Sequence, residues 1–175
     1  RQWKQTQQKN GTKQMNRILV SFGLLISILF ACGCPKAPME EKDNSGYSFR
    51  KDGTLQIHSA TGILKAEFDI EIVESQSELA QGLKYRESMA ETQGMLFIFE
   101  QIDYHSFWMQ DTYLSLDMIF IDHYNKIINI AKNTTPFSED PIFPEKPNQY
   151  VLELLAGTTD KLNITDTDEV TWQRN

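Results

Sequence analysis

From Leu64 the chain alternates, with Leu64, Ala66, Phe68, Ile70 and Ile72 apolar and Lys65, Glu67, Asp69 and Glu71 charged. A period of two belongs to a strand with one face in the core and one in water, so these charged residues are expected to be wet. Ser75 and Glu78 have capping-box spacing and Leu79 lies four residues before Leu83, which predicts a short helix over about 76–84. After Gly94, the apolar run 95–99 predicts a buried strand. Residues 106–109, 116–121 and 127–131 are further strand candidates, the last two joined as a hairpin across 122–126. Pro136, Pro141, Pro144 and Pro147 cannot donate to a ladder and make 134–148 a long irregular loop. Residues 150–155 form a last strong strand ended by Gly157, followed by one helical turn over 159–162 and a terminal strand over 169–172. Many short strands with one main helix predict a mainly β fold of the α+β type, a compact barrel-like domain with one short helix packed on it. It starts near Tyr47 or Leu55, and 55–175 is assigned to it as a single domain.

Ahead of this body the pattern changes to a continuous apolar stretch over 18–31, preceded by Arg17 and four other basic residues. As a helix rising about 1.5 Å per residue it would span roughly 21 Å, short of a hydrocarbon core of about 30 Å, so it reads as the apolar region of a signal peptide over 15–31. Residues 1–14 are then an upstream extension. Leu29-Phe30-Ala31-Cys32 resembles the bacterial lipobox, making Cys32 the expected lipid-attachment site, with Cys34 a competing frame. An ordinary cleaved signal and an uncleaved anchor are the alternatives. Pro35, Pro38 and a run of polar residues make 32–54 the lipidated cysteine and a flexible tether. The expected location is therefore the bacterial cell envelope, membrane-anchored through lipid and facing the periplasm or the exterior.

The length of 175 residues suits one domain with appendages and excludes a second large one. Residues 1–31 hold five Lys/Arg and no acid, which leaves twelve basic against twenty-four acidic groups in the remainder. That excess argues against a nucleic-acid partner, whose phosphates are met by Lys and Arg. Cys32 and Cys34 are the only cysteines, so the body has neither an internal disulfide nor a thiol nucleophile. His58, His105 and His123 lack ligand spacing, no calcium-hand loop is present, and no Gly-x-Ser-x-Gly elbow occurs, so neither a metal nor a cofactor is expected.

Five segments follow one another in a distinctive order: 81–86 (QGLKYR), 94–99 (GMLFIF), 107–112 (FWMQDT), 116–122 (LDMIFID) and 150–157 (YVLELLAG). Over about 55–172 the chain resembles the bacterial and archaeal family known as domain of unknown function 192. The resemblance implies a small β-rich fold, often secreted or lipid-anchored, with no established activity. The family usually has Met where Lys84 stands, Lys-Asn where Gln110-Asp111 stand, and Gly-Asp where Thr167-Asp168 stand. The exchange at Gln110 removes a cation beside Trp108.

The densest candidate chemistry is the segment containing Trp108, Asp111 and Thr112, with Asp117 close behind. Trp108 offers a flat face for a sugar or similar ligand, and Asp111, Thr112 and Asp117 offer hydrogen bonds to its rim. The structural alternative is a core Trp108 with Asp111 and Thr112 as turn formers. Asp117 lies within an apolar strand, so if it points inward it needs a partner, for which Arg86 is the expected candidate. The reading that follows is an envelope binding or accessory module for a polysaccharide or a partner protein, with no catalytic residue assigned. The alternative is a hydrolase or other enzyme using Asp111, Asp117 and Arg86.

Overall fold

The computed structural model describes residues 48–175. The upstream extension, the signal peptide, Cys32, Cys34 and the tether up to residue 47 lie outside the described residues. Seven strands, β1 (Gly53–His58), β2 (Leu64–Val73), β3 (Gln93–Asp103), β4 (Leu116–Ile121), β5 (Ile127–Ala131), β6 (Asn148–Leu155) and β7 (Glu169–Arg174), form one sheet in the order β5-β4-β6-β3-β2-β1-β7. Two short helices accompany it, α1 (Gln76–Gln81) and α2 (Thr158–Lys161). Neighbouring strands run antiparallel except β2 and β3, whose parallel pairing needs the crossover that carries α1.

The mainly β class holds, but the predicted barrel does not. Edge strands β5 and β7 meet at one bridge, Lys126 opposite Glu169, supported by the Val170 N–H donating to the Asn125 carbonyl at 2.9 Å. Closure requires a full ladder between first and last strands. The sheet stays open, with its edges touching near one end of β5.

Both faces are covered. One carries Leu55, Ile57, Phe68, Ile70, Leu96, Ile119, Leu152 and Leu154, packed with Ile164 and Leu162 from the segment after α2. The other carries Met95, Phe97, Met118, Phe120 and Val151 beneath Leu83, Met109, Phe107 and Ile142. The Pro-rich loop serves as part of that second cover, since Ile142 bridges Phe107 and the Met109 N–H donates to the Ser138 carbonyl at 2.9 Å.

Double burial explains where the simple alternation fails. Through Asp69 the charged residues of β2 are at least partly wet, but Glu71 is buried because α1 and the turn after it cover that face. The Ser75–Glu78 capping box forms, and the Ser75 hydroxyl and backbone hold the Glu78 carboxyl below its ordinary pKa. The helix ends earlier than its apolar spacing predicts because Gly82 turns the chain with φ 48° and ψ −136°. A Cβ there would also lie 3.2 Å from Phe97 Cζ. The strand predicted over 106–109 reduces to the single bridge at Phe107, since this segment lies across the sheet face rather than in it.

Candidate functional site

The turn after Trp108 is built from backbone that few sequences tolerate. Tyr85, Asp111 and Phe137 all have positive φ, at 61°, 56° and 61°. Asp accepts this conformation readily, whereas for bulky aromatic residues it costs on the order of 1 to 2 kcal/mol each. The three segments are tied together: the Tyr85 N–H donates to the Asp111 carbonyl at 2.9 Å and the Phe137 N–H to the Thr112 carbonyl at 3.3 Å. Thr112 is buried, its hydroxyl donating to the Gln110 carbonyl at 3.2 Å, so Asp111 and Thr112 act as turn formers.

The strained turns hold aromatic rings outward. Trp108 is 50% exposed, and Tyr85, Tyr113 and Phe137 are exposed beside the same turn, with Tyr113 edge-on to Tyr85 at 6.4 Å and tilted against Phe137 at 5.3 Å. Phe107 and Met109 point to the core while Trp108 takes the opposite side, so the core placement of Trp108 is corrected to a surface one. The cation expected to be missing beside Trp108 is supplied from elsewhere: Lys84 Nζ stands 5.7 Å from the ring centroid.

Next to Trp108 opens a pocket of about 210 Å³ walled by Leu83, Phe97, Phe99 and Phe107, with Lys84 and Glu153 also in its lining. Cross-strand register puts Glu153 between Met95 of β3 and Met118 of β4. Glu153 is 4% exposed, and its carboxyl makes no hydrogen bond or ion pair among the described residues. Burial alone pushes its carboxyl up to about 8, so at neutral pH it is chiefly the uncharged acid.

The other buried acids are all satisfied. Glu71 accepts from Arg86 Nη2 at 2.8 Å and from the Arg50 N–H at 2.7 Å. Asp168 accepts from Lys65 Nζ at 2.7 Å and the Thr165 N–H at 2.8 Å. Asp117 accepts from the Asn133 N–H, the Thr159 N–H and the Thr159 hydroxyl at 2.9, 2.9 and 2.7 Å. The expected Asp117–Arg86 pair therefore does not exist. Asp117 is opposite Leu154, on one face of the sheet, while Arg86 meets Glu71, which is in register with Met95 on the other. The sheet itself separates them, and the Asp111, Asp117 and Arg86 constellation is not assembled.

Trp108, Asp111 and Thr112 are thus brought together, Arg86 lines a neighbouring pocket with Glu71 and Arg50, and Asp117 anchors α2 from the far side. Glu153 is the residue that sequence reasoning passed over. Its signal was the one that drew notice to Asp117, a lone acid in an apolar strand. Tyr85, Tyr113 and Phe137 gave no signal, because their exposure comes from turns distant in sequence.

Among curated proteins none matches the chain. Similar solved structures include two crystal structures. One, from Sinorhizobium meliloti 1021 and described as a candidate transcription regulator, is 35% identical with a TM-score of 0.68, over 73% of this chain and 98% of that one. The other, a protein of unknown function from Novosphingobium aromaticivorans, is 31% identical with a TM-score of 0.65, over 68% and 84%. Residues 57–172 match the family model DUF192, described as Uncharacterized ACR. With β1 through β7 falling in or beside that span and both structures sharing the fold, the chain belongs to the DUF192 family.

Proposed function

We propose that the domain is a binding module of the bacterial envelope that takes a polysaccharide chain on the aromatic surface around Trp108. One observation carries this reading: Tyr85 and Phe137 hold costly left-handed backbone while their rings, with Trp108 and Tyr113, remain exposed. Strain of this kind clusters at ligand clamps, and aromatic faces beside hydrogen-bonding groups suit sugar rings. Binding is favoured over catalysis because, among the described residues, Glu153 is the one acid in the pocket lining, and Glu71 on the same face is engaged by Arg86. The regulator description of the Sinorhizobium protein does not suit this chain. Twelve basic against twenty-four acidic groups beyond residue 31 oppose a phosphate backbone.

The test is titration of the chain with soluble N-acetylglucosamine oligosaccharides and peptidoglycan fragments. Trp108→Ala should fold normally and lose binding. Binding unchanged in that variant, or none by the wild type, would refute the reading.

Lipid anchoring at Cys32 is part of the proposal, supported by the lipobox-like Leu29-Phe30-Ala31-Cys32 after a short apolar stretch. Among the described residues no helix is long and apolar enough to cross a membrane. A palmitate analogue fed to an expressing bacterium should label the chain, and Cys32→Ser should abolish the label. Loss of label in Cys34→Ser alone would move the attachment site.

A further inference from the structure

Resting on the binding-site reading above, we propose that Glu153 is the recognition group of the aromatic pocket, its carboxyl donating a hydrogen bond to an oxygen acceptor on one sugar residue. Three features lead there. The first is the contrast within one cross-strand row, in which Glu71, Met95, Glu153 and Met118 lie side by side on four strands. Glu71 in that row is met by Arg86 and the Arg50 N–H, whereas no described residue meets the Glu153 carboxyl. Buried polar groups without partners are few in native proteins, and each points to strain, chemistry or a missing ligand or water.

The second feature is access. Glu153 and Trp108 line the same pocket, so a group that satisfies the one can also touch the other. A cavity of about 210 Å³ is suited to a ring-sized group, since one of about 150 Å³ accepts benzene while whole drug-sized ligands need about 300 Å³ or more. The occupant is then one ring of a larger sugar chain.

The third feature is charge. From β3 and β4 the neighbours of Glu153 are Met95 and Met118, and the 106–112 segment adds Phe107, Trp108 and Thr112. The titratable groups nearby are Lys84 in the same lining, His105 stacked on Phe99 at 3.8 Å, and Glu71 with Arg86 beyond Met95. None bonds Glu153. Lys84 in the same lining disfavours a cationic ligand, and the apolar residues around Glu153 make a neutral partner the least costly one to bury. An uncharged acceptor, a hydroxyl, ring or amide oxygen, fits both. The raised pKa of Glu153 keeps its donor proton in place at neutral pH and releases it in mild alkali.

The experiment is calorimetric titration of the full chain with N-acetylglucosamine oligosaccharides at pH 6 to 9. The wild type should bind about tenfold more weakly at pH 9 than at pH 7, following the loss of the protonated acid. Glu153→Gln keeps an N–H donor and should bind within about threefold of the wild type at pH 7, without the alkaline loss. Glu153→Met should fold and bind at least about tenfold more weakly. If Glu153→Met binds like the wild type while Trp108→Ala does not, Glu153 has no part in recognition and the aromatic surface stands. A wild-type affinity unchanged between pH 7 and 9 also overturns the proposal. If the wild type binds none of these sugars, both readings fall together.

Discussion

Asp117 and Glu153 are both buried acids in the middle of neighbouring apolar strands, and they have opposite fates. Asp117 faces the side of the sheet where α2 packs and receives three hydrogen bonds, from Asn133 and twice from Thr159. Glu153, one register position away on the other face, receives none and looks into a pocket. Burial therefore does not mark a functional acid; an unmet hydrogen-bonding capacity next to open space does. Asp117 is a carboxylate used to fasten a helix terminus and a turn. Glu153 is an uncharged acid held in readiness for an incoming acceptor.

Substitutions sharpen that contrast, and the largest effects should fall on the satisfied groups. Arg86→Met removes the guanidinium from buried Glu71 and should cost about 3 to 5 kcal/mol, read from urea unfolding. A cost below about 1 kcal/mol would mean that the pair is not buried as described. Asp117→Ala leaves the Thr159 N–H and hydroxyl buried without an acceptor and should cost about 3 to 4 kcal/mol. If this variant kept its stability, Asp117 would not be the fastener that its three bonds imply.

Glu153→Met should do the reverse and stabilise. Burial raises the folded-state pKa from 4.5 to about 8, so between those values the folded protein holds a proton that the unfolded chain has released. Stability is thus fully present below about pH 4.5 and falls as pH rises through 8. At pH 7 the displacement amounts to on the order of 3 kcal/mol, which Glu153→Met should largely recover. Denaturant midpoints of the wild type that do not decline from pH 5 to 8, relative to Glu153→Met, would count against it. The smallest effect belongs to Trp108→Ala, half-exposed at 50%, with a stability cost of about 1 kcal/mol and a complete loss of binding. A cost of about 3 kcal/mol or more would return Trp108 to the core.

Much of the fold was legible because local signals and burial agree. The β4–β5 hairpin, the Ser75–Glu78 cap and the final strands arise where the sequence pattern places them. What the pattern could not supply was everything that depends on the second face. Alternation along β2 suggests a wet Glu71, yet a helix reached through a parallel crossover buries it. The Ser106–Met109 segment has strand-like residues but lies across the sheet as a cover, with one bridge to Ile142. Asp117 was recognisable as an acid in need of partners, but not which partners. That depended on the register that puts it on the α2 side, away from Arg86. The aromatic surface is written in residues 85, 108, 113 and 137, which only the tertiary fold brings to one turn. Even the lost Lys beside Trp108 was compensated by Lys84, from a segment separated by more than a strand.

The most direct test of the account is carbon-13 carboxyl NMR of Glu153 in the intact chain, assigned by comparison with Glu153→Gln and followed from pH 3 to 10. An unpartnered acid facing the pocket should remain protonated through neutrality and titrate with a midpoint near 8. A midpoint near 4.5 would mean that solvent or an unseen donor already satisfies Glu153, and the contrast with Asp117 on which the site is built would be gone.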